Sequence, residues 1–167
     1  MPVPKIILFT ILLLTSLPAI AQPKLEMTPQ GFAPVDIPRP PRTNEKLIEL
    51  SRDWAAEHNR REHDVYDVTQ NGLKIDGVRQ NAFYYRNRGE TYHYNIRYTL
   101  AINFGETAVS IHFSVKDIFV RQTLSEKTIA DFFAPDGRLK SDYLEVKPSL
   151  EETVNKIVGS YIEYISR

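Results

Sequence analysis

The densest run of side chains able to do chemistry is Glu57-His58-Asn59-Arg60-Arg61-Glu62-His63-Asp64. Helical zinc motifs place two histidines four residues apart, so that both imidazoles leave the same face. His58 and His63 are five apart, which turns them about 140° from one another at about 100° per residue. The string is also one residue too long for the H-x-x-E-H arrangement. No metal is expected here. His58, four residues after Trp54, instead closes an apolar helical stripe, and residues 59–64 read as a solvated helix end and turn.

Thr99, Ser110, His112 and Ser114 supply hydroxyls and an imidazole, the raw material of nucleophilic hydrolysis. That chemistry also needs an acid to orient the imidazole and a sharp strand-to-helix turn for the nucleophile, and the sequence has neither an acid so placed nor G-x-S-x-G. Asp131 and Asp136 define no carboxylate pair of known separation. Neither a catalytic residue nor a cofactor is expected. Binding is a better use of the polar residues. Tyr84, Tyr85, Arg86, Arg88, Tyr92, His93 and Tyr94 crowd one hairpin, and Tyr and Arg are frequent interface anchors because each joins a large contact area to a polar tip. Asn95, Arg97, Thr99, Ser110, His112, Ser114 and Lys116 form a second candidate surface. The candidate binding residues are therefore Tyr85, Arg86, Arg88, Tyr92, His93, Asn95, Arg97, Thr99, His112, Ser114 and Lys116.

The composition limits what these residues can serve. The chain has 167 residues with 21 basic and 21 acidic side chains, so the basic stripe of a nucleic-acid binder is missing. It has no cysteine, which excludes disulfides, thiolate metal sites and a thiol nucleophile. Residues 1–21 carry one basic residue, Lys5, then the apolar run 6–14 and the small-x-small pattern Ala19-Ile20-Ala21. That is a secretory signal peptide with cleavage expected after Ala21. Pro18 interrupts the apolar run short of the roughly 20 residues a membrane span needs, so no stable anchor remains after cleavage. Residues 22–33 read as a proline-rich leader, and residues 34–167 as one folded domain.

Within that domain the elements must place the candidate residues. Residues 33–37 permit a short edge strand before the proline cluster. A helix is expected over 44–57 with Thr43 as cap, and Leu47, Leu50 and Trp54 form its buried stripe. The period then changes to two, giving strands over 65–69, 73–85, 92–104 and 107–120. A two-residue loop at Gly105-Glu106 would pair Ile102 with Val109, Leu100 with Ile111, Tyr98 with Phe113 and Ile96 with Val115 on a dry face. Thr99 would then face His112, and Arg97 would face Ser114, on a wet one. Residues 125–133 are expected as a short helix, Pro135-Asp136-Gly137 as a turn. A closing helix is capped by Ser149 and Glu152 after Pro148.

Val35-Asp36-Ile37-Pro38, Leu47 through Trp54-Ala55-Ala56, Leu73-Lys74-Ile75-Asp76-Gly77, and Tyr98-Thr99-Leu100-Ala101-Ile102 with its hairpin partner carry a resemblance. In this order they resemble a family of small exported bacterial domains of unknown function with a TATA-binding-protein-like fold. The resemblance implies a two-layer α+β domain, an antiparallel sheet of four or five strands with the N-terminal and C-terminal helices on one face. It supplies no catalytic residues, and a fold name by itself implies no DNA binding. The expected function is that of an exported, non-enzymatic module that binds a protein or small ligand in the bacterial envelope. The alternatives are a periplasmic inhibitor or immunity protein and a small secreted hydrolase.

Overall fold

The computed structural model describes residues 23–59, 62–120 and 123–167; the expected signal peptide lies outside them. Thr43 caps α1 (Asn44–His58), its hydroxyl accepting the Lys46 N–H, and Leu47, Ser51, Trp54 and Ala55 form the buried face. The long strands follow: β4 (His63–Thr69), β5 (Gly72–Asn87), β6 (Glu90–Phe104) and β7 (Ala108–Val120). With β3 (Val35–Pro38) and β8 (Thr123–Leu124), they make one antiparallel sheet in the order β3-β7-β6-β5-β4, with β8 also on β7. That is six strands where four or five were expected. The closing helix α2 (Val146–Ser166) packs with α1 over one face of this sheet.

Of the residues expected as a leader, 23–33 belong to the fold. Strands β1 (Met27–Thr28) and β2 (Gly31–Phe32) form a small hairpin of their own. Leu25, Met27 and Phe32 are buried in the main core, with the Phe32 ring edge-on to Phe113 at 5.8 Å. Asn155 on α2 holds this segment from both sides, accepting the Leu25 N–H at 2.8 Å and donating to the Leu25 carbonyl at 2.9 Å. The prolines interrupt regular structure without preventing burial.

Two further expectations change in detail. The closing helix starts at Val146, ahead of Pro148, which the first turn tolerates because its missing donor has no intrahelical partner there. Ser149 therefore sits inside the helix, where its Oγ accepts the Tyr84 N–H, and Glu152 pairs with Lys156. In the stretch expected as a helix over 125–133, a single 3-10 turn forms at Ile129–Phe132, closed by a reciprocal Thr128 and Asp131 capping box.

The central hairpin keeps its expected faces and changes its partners. Gly105 donates its N–H to the Ala108 carbonyl at 2.9 Å, so Glu106 and Thr107 make the turn, one residue later than expected. Phe104 pairs with Val109, Ile102 with Ile111, Leu100 with Phe113 and Tyr98 with Val115. A bulge at Lys116 then shifts the register, placing Arg97 opposite Asp117 and Ile96 opposite Ile118. Ile96 is fully buried and Arg97 exposed.

Candidate functional site

Strand β6 alternates without interruption. Tyr94, Ile96, Tyr98, Leu100, Ile102 and Phe104 point under the helices, and the residues between them point the other way. The outward row starts at His93 near the hairpin tip and runs through Asn95, Arg97, Thr99 and Ala101 to Asn103. The register adds neighbours from β5 and β7, so that Asp76, Thr99 and Ser114 lie side by side, as do Lys74, Ala101 and His112. Thr99 and His112, expected as partners, are not opposite one another.

Several of these side chains are fixed by their neighbours. Thr99, nearly buried at the centre, donates to Asp76 Oδ1 at 2.5 Å, and the Tyr66 hydroxyl donates to the same oxygen at 3.1 Å. Arg97 Nη1 bonds Asp117 Oδ2 at 2.9 Å while its guanidinium lies over the Phe119 ring. Asn95 accepts the Asn81 N–H, holding the β5 bulge where Asn81 has a positive φ of 50°. Lys74 bonds Asp67 at 2.8 Å, and that carboxylate raises the Lys74 ammonium above the ordinary lysine range. His93, His112 and Lys116 are exposed, and Ser114 is half-buried. A shallow depression of about 540 Å³ crosses this surface beside Lys74, Asn103, Ser110 and His112.

The tyrosine-rich rim divides between the two faces. Tyr85 and Tyr92 stack at 5.3 Å on the helix side, where Tyr94 and Tyr143 pack against Tyr85, so they belong to an aromatic cluster at the core's edge. Arg86 pairs with Glu145 at 3.5 Å and its guanidinium covers the Tyr84 ring. Tyr84 and His93 face each other on the open side, with centroids 5.9 Å apart. Arg88 stands exposed in the tip turn, with φ of 49°.

The two histidines of the polar run turn to separate partners. His63 Nδ1 contacts the Asn59 carbonyl at 2.9 Å, and His58 stacks on Trp54 at 4.9 Å. His58 Nε2 also lies 2.6 Å from Ser160 Oγ, a contact between α1 and α2 that sequence reading missed. Asp76 and Lys74 were missed as outward residues as well, although the alternation Leu73-Lys74-Ile75-Asp76 signals both.

No family model matches the chain, and no curated protein matches it. Among solved structures, one similar to it is a TBP-like protein from Parabacteroides distasonis, 11% identical with a TM-score of 0.49, covering 81% of this chain and 92% of that one. In fold the chain is similar to a DUF4468 family protein from Bacteroides ovatus, with a TM-score of 0.52 at 7% identity over 79% of this chain and 80% of that one.

Proposed function

We propose that this chain is an exported, non-enzymatic binding module of the bacterial envelope, and that the open face of its sheet engages a protein partner. The observation that carries this reading is the outward row of β6 and its flanking residues. They form a polar surface of mixed charge, with Arg97 and Asp76 already held in place by Asp117, Thr99 and Tyr66. Side chains ordered before binding lose less entropy on association, and mixed charge selects a complementary partner over others. Export is supported by the signal-like pattern of residues 1–21. An inhibitor or immunity protein is the narrower form of the same reading, with a stoichiometric partner.

The hydrolase alternative has less support. Ser160 Oγ lies beside His58 Nε2, but Ser160 is inside α2, where backbone N–H groups are committed to the helix and cannot stabilise an oxyanion. Its Oγ also accepts the Trp54 indole N–H at 3.2 Å, which makes the contact a clamp between helices. The test is capture of partners from envelope extract with the mature chain, repeated with Arg97→Ala plus His112→Ala and with Lys46→Ala on α1 as control. Loss of a partner at least tenfold in the double variant alone is expected. Retention of every partner by the double variant refutes the sheet-face reading.

A further inference from the structure

On the other side of the sheet, where α1 ends against the middle of α2, a cleft of about 230 Å³ is lined by Trp54, Asn59, Arg79, Tyr98 and Ile157, together with His58, Lys156 and Ser160. We propose that this cleft binds a small organic anion, with its charged end toward Arg79 and Asn59 and its apolar body against Trp54 and Ile157.

The charge of the lining is the first observation. The chain as a whole is electrically balanced, yet the cleft is lined by Arg79 and Lys156 and by no acidic residue. Arg79 pairs with Ile96 in the ladder, which puts it on the helix side of the sheet, where it is exposed. It makes no ion pair among the described residues. Lys156 is tied to Glu152 by an exposed bridge, of the kind that contributes little and is readily exchanged.

The second observation is a surplus of buried donors. Asn59 is 8% exposed, and its Oδ1 accepts the Tyr98 hydroxyl at 3.0 Å. Its Nδ2 is the one buried side-chain polar atom among the described residues with no partner. A buried unpaired donor is costly, and natural folds rarely keep one. Turning the amide over does not remove the surplus. Nδ2 would then donate to the phenol oxygen and leave the phenol hydrogen without an acceptor. The missing element is an acceptor, and a planar carboxylate matches the guanidinium fork of Arg79 as well as the amide. The apolar wall distinguishes an organic anion from inorganic phosphate.

Trp54 is the chain's single tryptophan, so its indole N–H resonance and fluorescence report on this cleft. The experiment titrates the mature chain with benzoate, isobutyrate and inorganic phosphate while following that resonance. A saturable shift with benzoate is expected, its midpoint raised about tenfold by Arg79→Ala and at least as much by Asn59→Asp. The aspartate keeps an acceptor for Tyr98 but repels the anion, and Arg79→Ala, an exposed change, preserves the test if Asn59→Asp fails to fold. Arg97→Ala with His112→Ala should leave the benzoate response intact, separating this site from the sheet-face reading. A shift indifferent to both cleft substitutions, a response to phosphate alone, or no saturable response to any of the three anions overturns the proposal.

Discussion

The helix side and the open side of the sheet are made by the same strands, residue by alternate residue, yet they are stabilised in different ways. Under the helices, Leu47, Trp54, Ile75, Leu100, Phe113 and Tyr161 are wholly buried, and the few polar groups are drawn into short interhelical or helix-to-sheet bonds such as Ser51 with Tyr161 at 2.9 Å. On the open side the contacts are ion pairs and hydroxyl-to-carboxylate bonds at the surface, each worth a fraction of a buried aromatic ring. One face therefore carries stability, and the other is free to carry recognition.

The largest blow to that contrast should come from Trp54→Ala, which empties a fully buried site where the indole stacks on His58 and meets Tyr161 edge-on. A loss of about 3–5 kcal/mol in chemical denaturation is expected; a loss below about 1 kcal/mol would mean that the helices are not the main support. Gly77→Ala comes next. A methyl there would lie 2.7 Å from the Tyr98 hydroxyl and 2.8 Å from Asn59 Oδ1, both on the helix side. Tyr98 must shift, and about 1–3 kcal/mol is the expected cost of such overpacking.

Why the two faces were legible while the pairing was not follows from the hairpin itself. Alternation fixes which side a residue faces, and moving the turn from Gly105-Glu106 to Glu106-Thr107 preserves that parity. The apolar pattern alone could not separate the two registers. What settles the turn is the contact of Gly105 with Ala108, where a Cβ on residue 105 would sit 3.0 Å from the Ala108 oxygen, together with Arg39 Nη1 donating to the Gly105 carbonyl. Arg39 is remote in sequence, so local reading had no access to it. The bulge at Lys116 did leave a trace, because the apolar series Val109, Ile111, Phe113, Val115 resumes at Ile118 after three residues instead of two. The cleft was hidden for a different reason: Arg79, Asn59 and Ser160 come from three separate elements that share no spacing rule.

Two smaller effects sharpen the contrast, one on each face. Ser51 Oγ gives its hydrogen to the Leu47 carbonyl, so the Tyr161 hydroxyl donates to Ser51, and Tyr161→Phe should cost about 1 kcal/mol at neutral pH. Burial raises the Tyr161 phenol above its ordinary value near 10. The folded state thus prefers the protonated phenol. That preference is intact below the unfolded value and is lost as the pH rises through and beyond it. Wild-type stability should fall more steeply above pH 10 than that of Tyr161→Phe, and equal slopes would place Tyr161 in water. On the open face, Thr99→Val keeps the shape and removes the hydroxyl from Asp76, whose Oδ1 retains the Tyr66 hydroxyl. A loss of about 1 kcal/mol is expected.

The smallest expected effect is the most informative about division of labour. Arg97→Ala with His112→Ala removes an exposed bridge to Asp117, the guanidinium over Phe119 and an exposed imidazole. A bridge of this kind is worth about 0–1 kcal/mol because water and salt screen it and because ordering two long side chains opposes it. The double variant should therefore melt close to the wild type, with any difference shrinking further in high salt. If it lost several kcal/mol instead, the outward row would be part of the support, and loss of a partner in the same variant would report unfolding. Near-wild-type melting combined with lost capture assigns those side chains to recognition, because the helix-covered face has by then been shown to hold the fold without them.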